Sequence, residues 1–308
     1  MSDGIRLAVR LWLPSNSGVI SDQFPGQTVW RVYTPGEAPG LLKCPAVLEY
    51  LPYRKRRHHG SPRPPSARLD SFARIAVARA DLRGCGDSER SLLGRELLGR
   101  PPVDRAWLAG QSWTNGPNWA LRQELGGFNG LQLAEMGCPG PGRSREHLQL
   151  DDRFNSDIHY TGGCVIGTEA LTWSSFMLAI NSLPPSPAQF GQPVTRAWRD
   201  RLNWDGHRPW IDRWLRHQTP DDYWRRGSVR FRPEPADCPV LLIGGWHDLY
   251  SDALLRLADR LPNTASCALL GPWSHDWPDT AAPGRALPSL TSACAGGGCT
   301  WSERPASA

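Results

Sequence analysis

The sequence predicts an α/β fold, short buried strands alternating with helices, and three observations carry that reading. Apolar runs at 45–51, 75–81, 239–243 and 267–270 are bounded by glycine, proline or charge, with helix-spaced stretches between them. From about 161 to 236 the pattern changes to a tryptophan-rich, helix-like insertion. Two of the strand ends then deliver in succession a carboxylate, Asp248, and an imidazole, His275. In open α/β sheets, ligands bind where the carboxyl ends of strands meet loops.

Taken in order, residues 5–13 alternate apolar and polar side chains, as a half-buried opening strand does. Residues 15–43 are rich in Gly, Pro and Ser and read as a long connection with a return strand at 29–33. The buried strand 45–51 leads to Tyr53 and then to a basic run, Arg54-Lys55-Arg56-Arg57-His58-His59. That run reads as a solvated loop rather than a docking site for anionic partners. Strand 75–81 is followed by a loop to Glu89, in which Gly84 and Gly86 suit a tight turn.

Helices are expected at 174–182 and 198–217. Trp173, Trp198, Trp204, Trp210, Trp214 and Trp224 either line an acyl pocket or pack a helical cap, and both readings stand. The run 239–243 is closed by Gly244 and Gly245. Ser251 or Asp252 caps the next helix, where Leu254, Leu255, Leu257, Ala258 and Leu261 fit one face. Strand 267–270 runs into Gly271 and on to His275. Residues 286–308 form a Ser/Gly/Ala-rich tail that composition marks as poorly ordered.

A chain of 308 residues has room for a full core plus an insertion. The net charge of +5 is mild, and no nucleic-acid module accompanies it, so no nucleic-acid partner is expected. No stretch approaches transmembrane length and no leader pattern opens the chain, which predicts a cytosolic protein without membrane association. The eight cysteines form no CxxC pair and read as reduced thiols. No cofactor is expected.

The stretch GGWHDLYSDALL followed by LLGPWSH resembles the cocaine esterase and X-Pro dipeptidyl-peptidase (CocE/NonD) family of serine hydrolases. The resemblance extends to DGIRLAVRLWLP, LEYLPYRKR, ARADLRGCGDSE, GGFNGLQLA and DDRFNSDIHYTGGC, in family order over about two thirds of the chain. It implies an α/β-hydrolase sheet with a helical cap insertion. Residues 1–160 and 237–285 would form the hydrolase domain and 161–236 the cap, with 286–308 a low-complexity tail. The acid-then-histidine order also matches the hydrolase triad order Ser, Asp or Glu, His. By resemblance Asp248 orients the imidazole, His275 is general base and then acid, and the Tyr53 hydroxyl and Leu125 N–H bind the oxyanion. The implied substrate is a small-molecule ester or short peptide; oligomeric state is not implied.

A nucleophile elbow needs a buried strand, then Gly-x-Ser-x-Gly, then a helix. Aligned on Gly126-Gly127-Phe128-Asn129-Gly130, the serine position holds Glu124 and the leading glycine is Arg122. The strand position, 117–123, is neither apolar nor β-branched and reads as lost. No Gly-x-Ser-x-Gly occurs in the chain; Ser88, Ser112 and Ser144 each follow a glycine by two positions but lack the closing one. Family-like and unlike blocks alternate sharply, as compensating frameshifts would produce. Arg-Gln-Glu-Leu written CGG CAA GAG CTG, read one base later with a following G, gives Gly-Lys-Ser-Trp ahead of Gly126. The coding DNA would show whether a one-base shift hides the serine.

Two functions follow. The first is a hydrolase of acyl esters or amides by Ser-Asp-His chemistry. The second is a non-catalytic remnant, or a binding protein on a hydrolase scaffold, since carboxylate attack by Glu124 would give a mixed anhydride needing different support. A metal set of His247, Asp248, His275, Asp276 and Asp279 has the ligand types but not the HExxH spacing, so no metal is expected.

Overall fold

A computed structural model of the chain describes residues 6–14, 30–33, 43–55, 76–89, 108, 110–123, 125–135, 143–147, 151–187, 194–203, 209–231, 240–260, 266–276 and 278. Strands β1 (Val9–Pro14), β2 (Trp30–Tyr33), β3 (Cys44–Leu51), β4 (Ala76–Asp81) and β5 (Thr114–Gln123) precede helix α1 (Leu125–Glu135) and strand β6 (Arg143–His147). After the hairpin β7 (Tyr160–Thr161) and β8 (Cys164–Val165) come helices α2 (Gly167–Asn181), α3 (Val194–Leu202), α4 (Trp210–Trp214) and α5 (Asp222–Gly227). Strand β9 (Val240–Gly245), helix α6 (Ser251–Asp259) and strand β10 (Cys267–Gly271) follow.

The main sheet runs β10-β9-β6-β5-β3-β4-β1-β2. Strand β1 is antiparallel to both neighbours, and every pair from β4 to β10 is parallel. Strands β4 and β9 are buried along their whole length, as a parallel sheet covered on both faces requires. Helix α1 packs on β5, β6 and β3, and α6 on β9 and β10. Leu131, Leu242, Leu254 and Leu257 join one core cluster, and Leu11, Leu48, Tyr50 and Phe128 belong to another under β3 and β4.

Several expectations are corrected. The strand read as lost at 117–123 is present as β5, paired with β3 on one side and β6 on the other. The run Arg143-Ser144-Arg145-Glu146-His147, for which no element was expected, is β6. Both are polar in composition; a central strand is made by ladder hydrogen bonds to two neighbours, so composition is a weak guide there. The helix expected over 198–217 is two helices, α3 and α4. Helix α6 starts at Ser251 with Tyr250 as N-cap and no side-chain cap, and Leu255 is 48% exposed, off the buried face. Lys55, placed in a solvated loop, is buried; Arg56 to His59 lie outside the described residues. Cys267 is disulfide-bonded, its partner outside the described residues, whereas Cys44, Cys85 and Cys164 are free. The reading of all eight cysteines as reduced thiols therefore fails at Cys267. The tail 286–308 also lies outside the described residues.

Between β6 and β9, Trp214 and Trp224 are buried with Phe154 and Tyr160, and Trp173 and Trp210 pack against them. The Trp224 indole donates to the His217 carbonyl at 2.6 Å and Tyr160 Oη to the Trp214 carbonyl at 3.2 Å. These side chains pack as one aromatic cluster. Trp198, half-buried, donates to the Ser182 carbonyl, and Trp204 lies outside the described residues.

Candidate active site

Because β3, β5, β9 and β10 run parallel in one sheet, their carboxyl ends lie along one edge. Tyr53 follows the end of β3, Leu125 opens the helix after β5, Asp248 follows β9 and His275 follows β10. The sheet thus delivers all four to the edge where α/β sheets hold ligands. Glu124 lies outside the described residues, but strand β5 ends at Gln123 and α1 begins at Leu125 on either side of it. A strand and a helix thus flank the position where the sequence lacks the glycine and serine of an elbow.

Asp248 and His275 meet. His275 Nδ1 is 3.1 Å from both Asp248 oxygens, and the carboxylate is 1% exposed against 37% for the imidazole. The Tyr250 N–H donates to Asp248 Oδ1 at 3.2 Å, fixing the acid from its own loop. A proton on Nδ1 facing the acid leaves Nε2 as the basic nitrogen. The Tyr250 ring lies 5.5 Å from the imidazole.

Glycines let the two loops approach. A Cβ on Gly245 would fall 1.9 Å from the Trp273 carbonyl oxygen and 2.7 Å from that of Ser274, backbone of the segment that carries His275. The His247 N–H donates to that Trp273 carbonyl at 3.1 Å and the Trp246 N–H to Gly271 at 2.9 Å. The loop bearing the acid and the loop bearing the histidine are therefore one hydrogen-bonded unit.

The alternative serines sit elsewhere. Ser88 is buried, donating to the Asp81 carbonyl and accepting from the Ala8 N–H. Ser112 precedes β5, at the opposite edge of the sheet. Ser144 lies within β6, in register with Ala120 and Val240. Among the described residues no group of three or more His, Cys, Asp and Glu is arranged to hold a metal; Asp279 of the suggested set lies outside them.

Two polar clusters, the second of them buried, were not foreseen. Arg256 on α6 grips Asp151 at 2.6 Å and Asp252 at 2.7 Å, pinning the segment before β7 to the helix after Asp248. Asp157 pairs with Arg153 at 2.6 Å and His159 at 3.0 Å. Burial pushes the Asp157 carboxyl up, yet Arg153, His159 and the Ile158 amide outweigh it and hold the group below its ordinary value. The motif residues Asp151 and Arg153 were conspicuous in the sequence, but Arg256, 105 positions on, carried only the signal of an amphipathic helix.

Residues 28–277 match the X-Pro dipeptidyl-peptidase (S15 family) profile. An aminopeptidase from the marine sediment archaeon Thaumarchaeota archaeon is similar with TM-score 0.63 and 19% identity, over 89% of this chain and 47% of its own. A CocE/NonD family hydrolase from Staphylococcus aureus gives 0.59 and 16%, over 88% and 45%. An α-amino acid ester hydrolase gives 0.60 and 17%, over 90% and 47%. At such identities the likeness is one of fold, and the chain spans about half the length of each of these proteins. No curated protein matches it.

Proposed function

The chain belongs to the X-Pro dipeptidyl-peptidase (S15) family of hydrolases, and we propose that its site is a Ser-Asp-His acyl-hydrolase site whose acid and base are Asp248 and His275. The 3.1 Å contact between them, with the carboxylate buried and the imidazole half-exposed, carries the reading. In this reading Tyr53 and the Leu125 N–H receive the alkoxide of a tetrahedral intermediate. The substrate is a small ester or a short peptide, as the family and the α-amino acid ester hydrolase likeness suggest. The division into a hydrolase domain interrupted by a cap at 161–236, and a cytosolic setting, belong to the same proposal. No described helix is long and apolar enough to cross a membrane.

The nucleophile position holds Glu124. Without a hydroxyl there is nothing for His275 to deprotonate, and a carboxylate there would hold the imidazole as an ion pair. Loss of a triad nucleophile costs on the order of 10⁶ in turnover. We therefore propose that the chain as written forms no acyl-enzyme and hydrolyses activated esters no faster than its His275→Ala variant. This absence of an elbow serine favours the second reading, a remnant or binding protein on the scaffold. A fluorophosphonate probe separates the readings: stoichiometric labelling of the chain refutes the proposal, and the mapped residue names the nucleophile.

A further inference from the structure

We infer that Asp81 is a positioning residue for the Tyr53 phenol, holding the corner from Pro52 to Lys55 in one geometry and tying it to the cap. The inference rests on the reading of Tyr53 as an oxyanion donor and goes one step behind it.

The residues around Tyr53 are gripped from outside the corner. The Pro52 carbonyl accepts from the buried Cys85 thiol at 2.7 Å. Arg54 takes a left-handed backbone, φ 65°, rare for a side-chain-bearing residue. Its guanidinium donates to the carbonyls of Ile180 at 3.5 Å and Pro184 at 2.5 Å, both in the cap. Lys55 is held twice by Asp81: its N–H donates to Oδ1 and its ammonium reaches Oδ2 at 3.2 Å. The side chains of Lys55 and Asp81 are each 1% exposed.

The same carboxylate organises the loop after β4. Asp81 Oδ2 also accepts from the Asp87 N–H at 2.8 Å. A Cβ on Gly86, at φ 55°, would fall 2.1 Å from that oxygen, so the loop closes directly over it. Asp87 pairs with the Lys55 ammonium through one oxygen and accepts the Ser186 N–H through the other at 2.6 Å. Arg201 of α3, buried, donates to the carbonyls of Gly86 at 3.0 Å and Ser88 at 3.1 Å. Corner, loop and cap thus share one buried network, in which each bond fixes the next.

An oxyanion donor works only when placed before the charge develops. The residue after Tyr53 sits in a conformation that the chain would leave if released. Asp81 supplies the restraint by fixing Lys55 through backbone and side chain together. Loss of that carboxylate frees Arg54 to relax and the phenol to sample other positions.

The test places 3-fluorotyrosine at position 53 of the full chain and reads its ¹⁹F spectrum with and without benzylphosphonate, a tetrahedral anion. The parent should give one narrow line that shifts with the phosphonate. Asp81→Asn should broaden or split the line at least twofold and weaken the phosphonate response about fivefold. Leu242→Ala, destabilising but remote, should leave the line narrow, which a merely structural role for Asp81 would not predict. If Asp81→Asn does not fold, Ser186→Pro, which removes the N–H that Asp87 accepts while leaving Asp81 in place, should broaden the line to a lesser degree. A line as narrow as the parent's in each folded variant overturns the inference. A parent line indifferent to phosphonate removes the oxyanion reading instead, and the line shape still decides whether Asp81 positions the phenol.

Discussion

Replacing Gly245 by alanine probes the contact between the two site loops. The new Cβ would lie 1.9 Å from the Trp273 carbonyl oxygen and 2.6 Å from its carbon, and neither neighbour is a flexible side chain. The His275 segment must retreat by about 1 Å or more to reach even the closest Cβ contacts found in proteins. The His247 N–H bond to that carbonyl, now 3.1 Å, then breaks, and the Asp248–His275 contact lengthens beyond hydrogen-bond range. Overpacking costs about 1–3 kcal/mol and one lost hydrogen bond about 1 kcal/mol. Denaturant unfolding should therefore show a loss of about 2–4 kcal/mol. In ¹H NMR, the downfield signal of a His275 Nδ1 proton held by Asp248 should disappear. Gly167→Ala is the control, because a Cβ there meets nothing within 4 Å. A Gly245→Ala protein with parental stability and an intact downfield signal would refute the loop-contact argument.

Other perturbations test the remaining readings. Because β5 ends at Gln123 and α1 begins at Leu125, R122G/E124S should accept a fluorophosphonate probe, whereas E124S alone should not, since an elbow also needs its leading glycine; mass spectrometry after labelling decides. Asp157, held below its ordinary value, binds fewer protons folded than unfolded. Its contribution is present above about pH 4 and lost as pH falls through the lowered value. Asp157→Asn should flatten that acid limb of the stability curve and cost about 3–5 kcal/mol at pH 7 by leaving Arg153 buried without its partner. Burial pushes the Cys44 thiol up to about 11 and Cys85 further in the same direction, and Cys164 is exposed. Iodoacetamide at pH 8 should modify Cys164 in the native protein and reach Cys44 and Cys85 only on unfolding, as peptide mapping would show.

The strands that carry most of the site were legible because their signal is local. The run Val240 to Ile243 and the run before Gly271 are short, apolar and ended by glycine, so their carboxyl ends, and with them Asp248 and His275, could be placed from residue order alone. The missing elbow serine is likewise a fact of the sequence. Strands β5 and β6 were hidden because their side chains are polar, and they exist through ladders to β3 and β9, partners far away in the chain. The same physics hid the buried charges. Lys55 sat in a basic run that looked solvated, and only the approach of Asp81 and Asp87, 26 and 32 positions away, makes burial of its ammonium tolerable. Periodicity records which face of an element is buried; which distant group meets it there is settled only when the sheet and the segments packed on it come together.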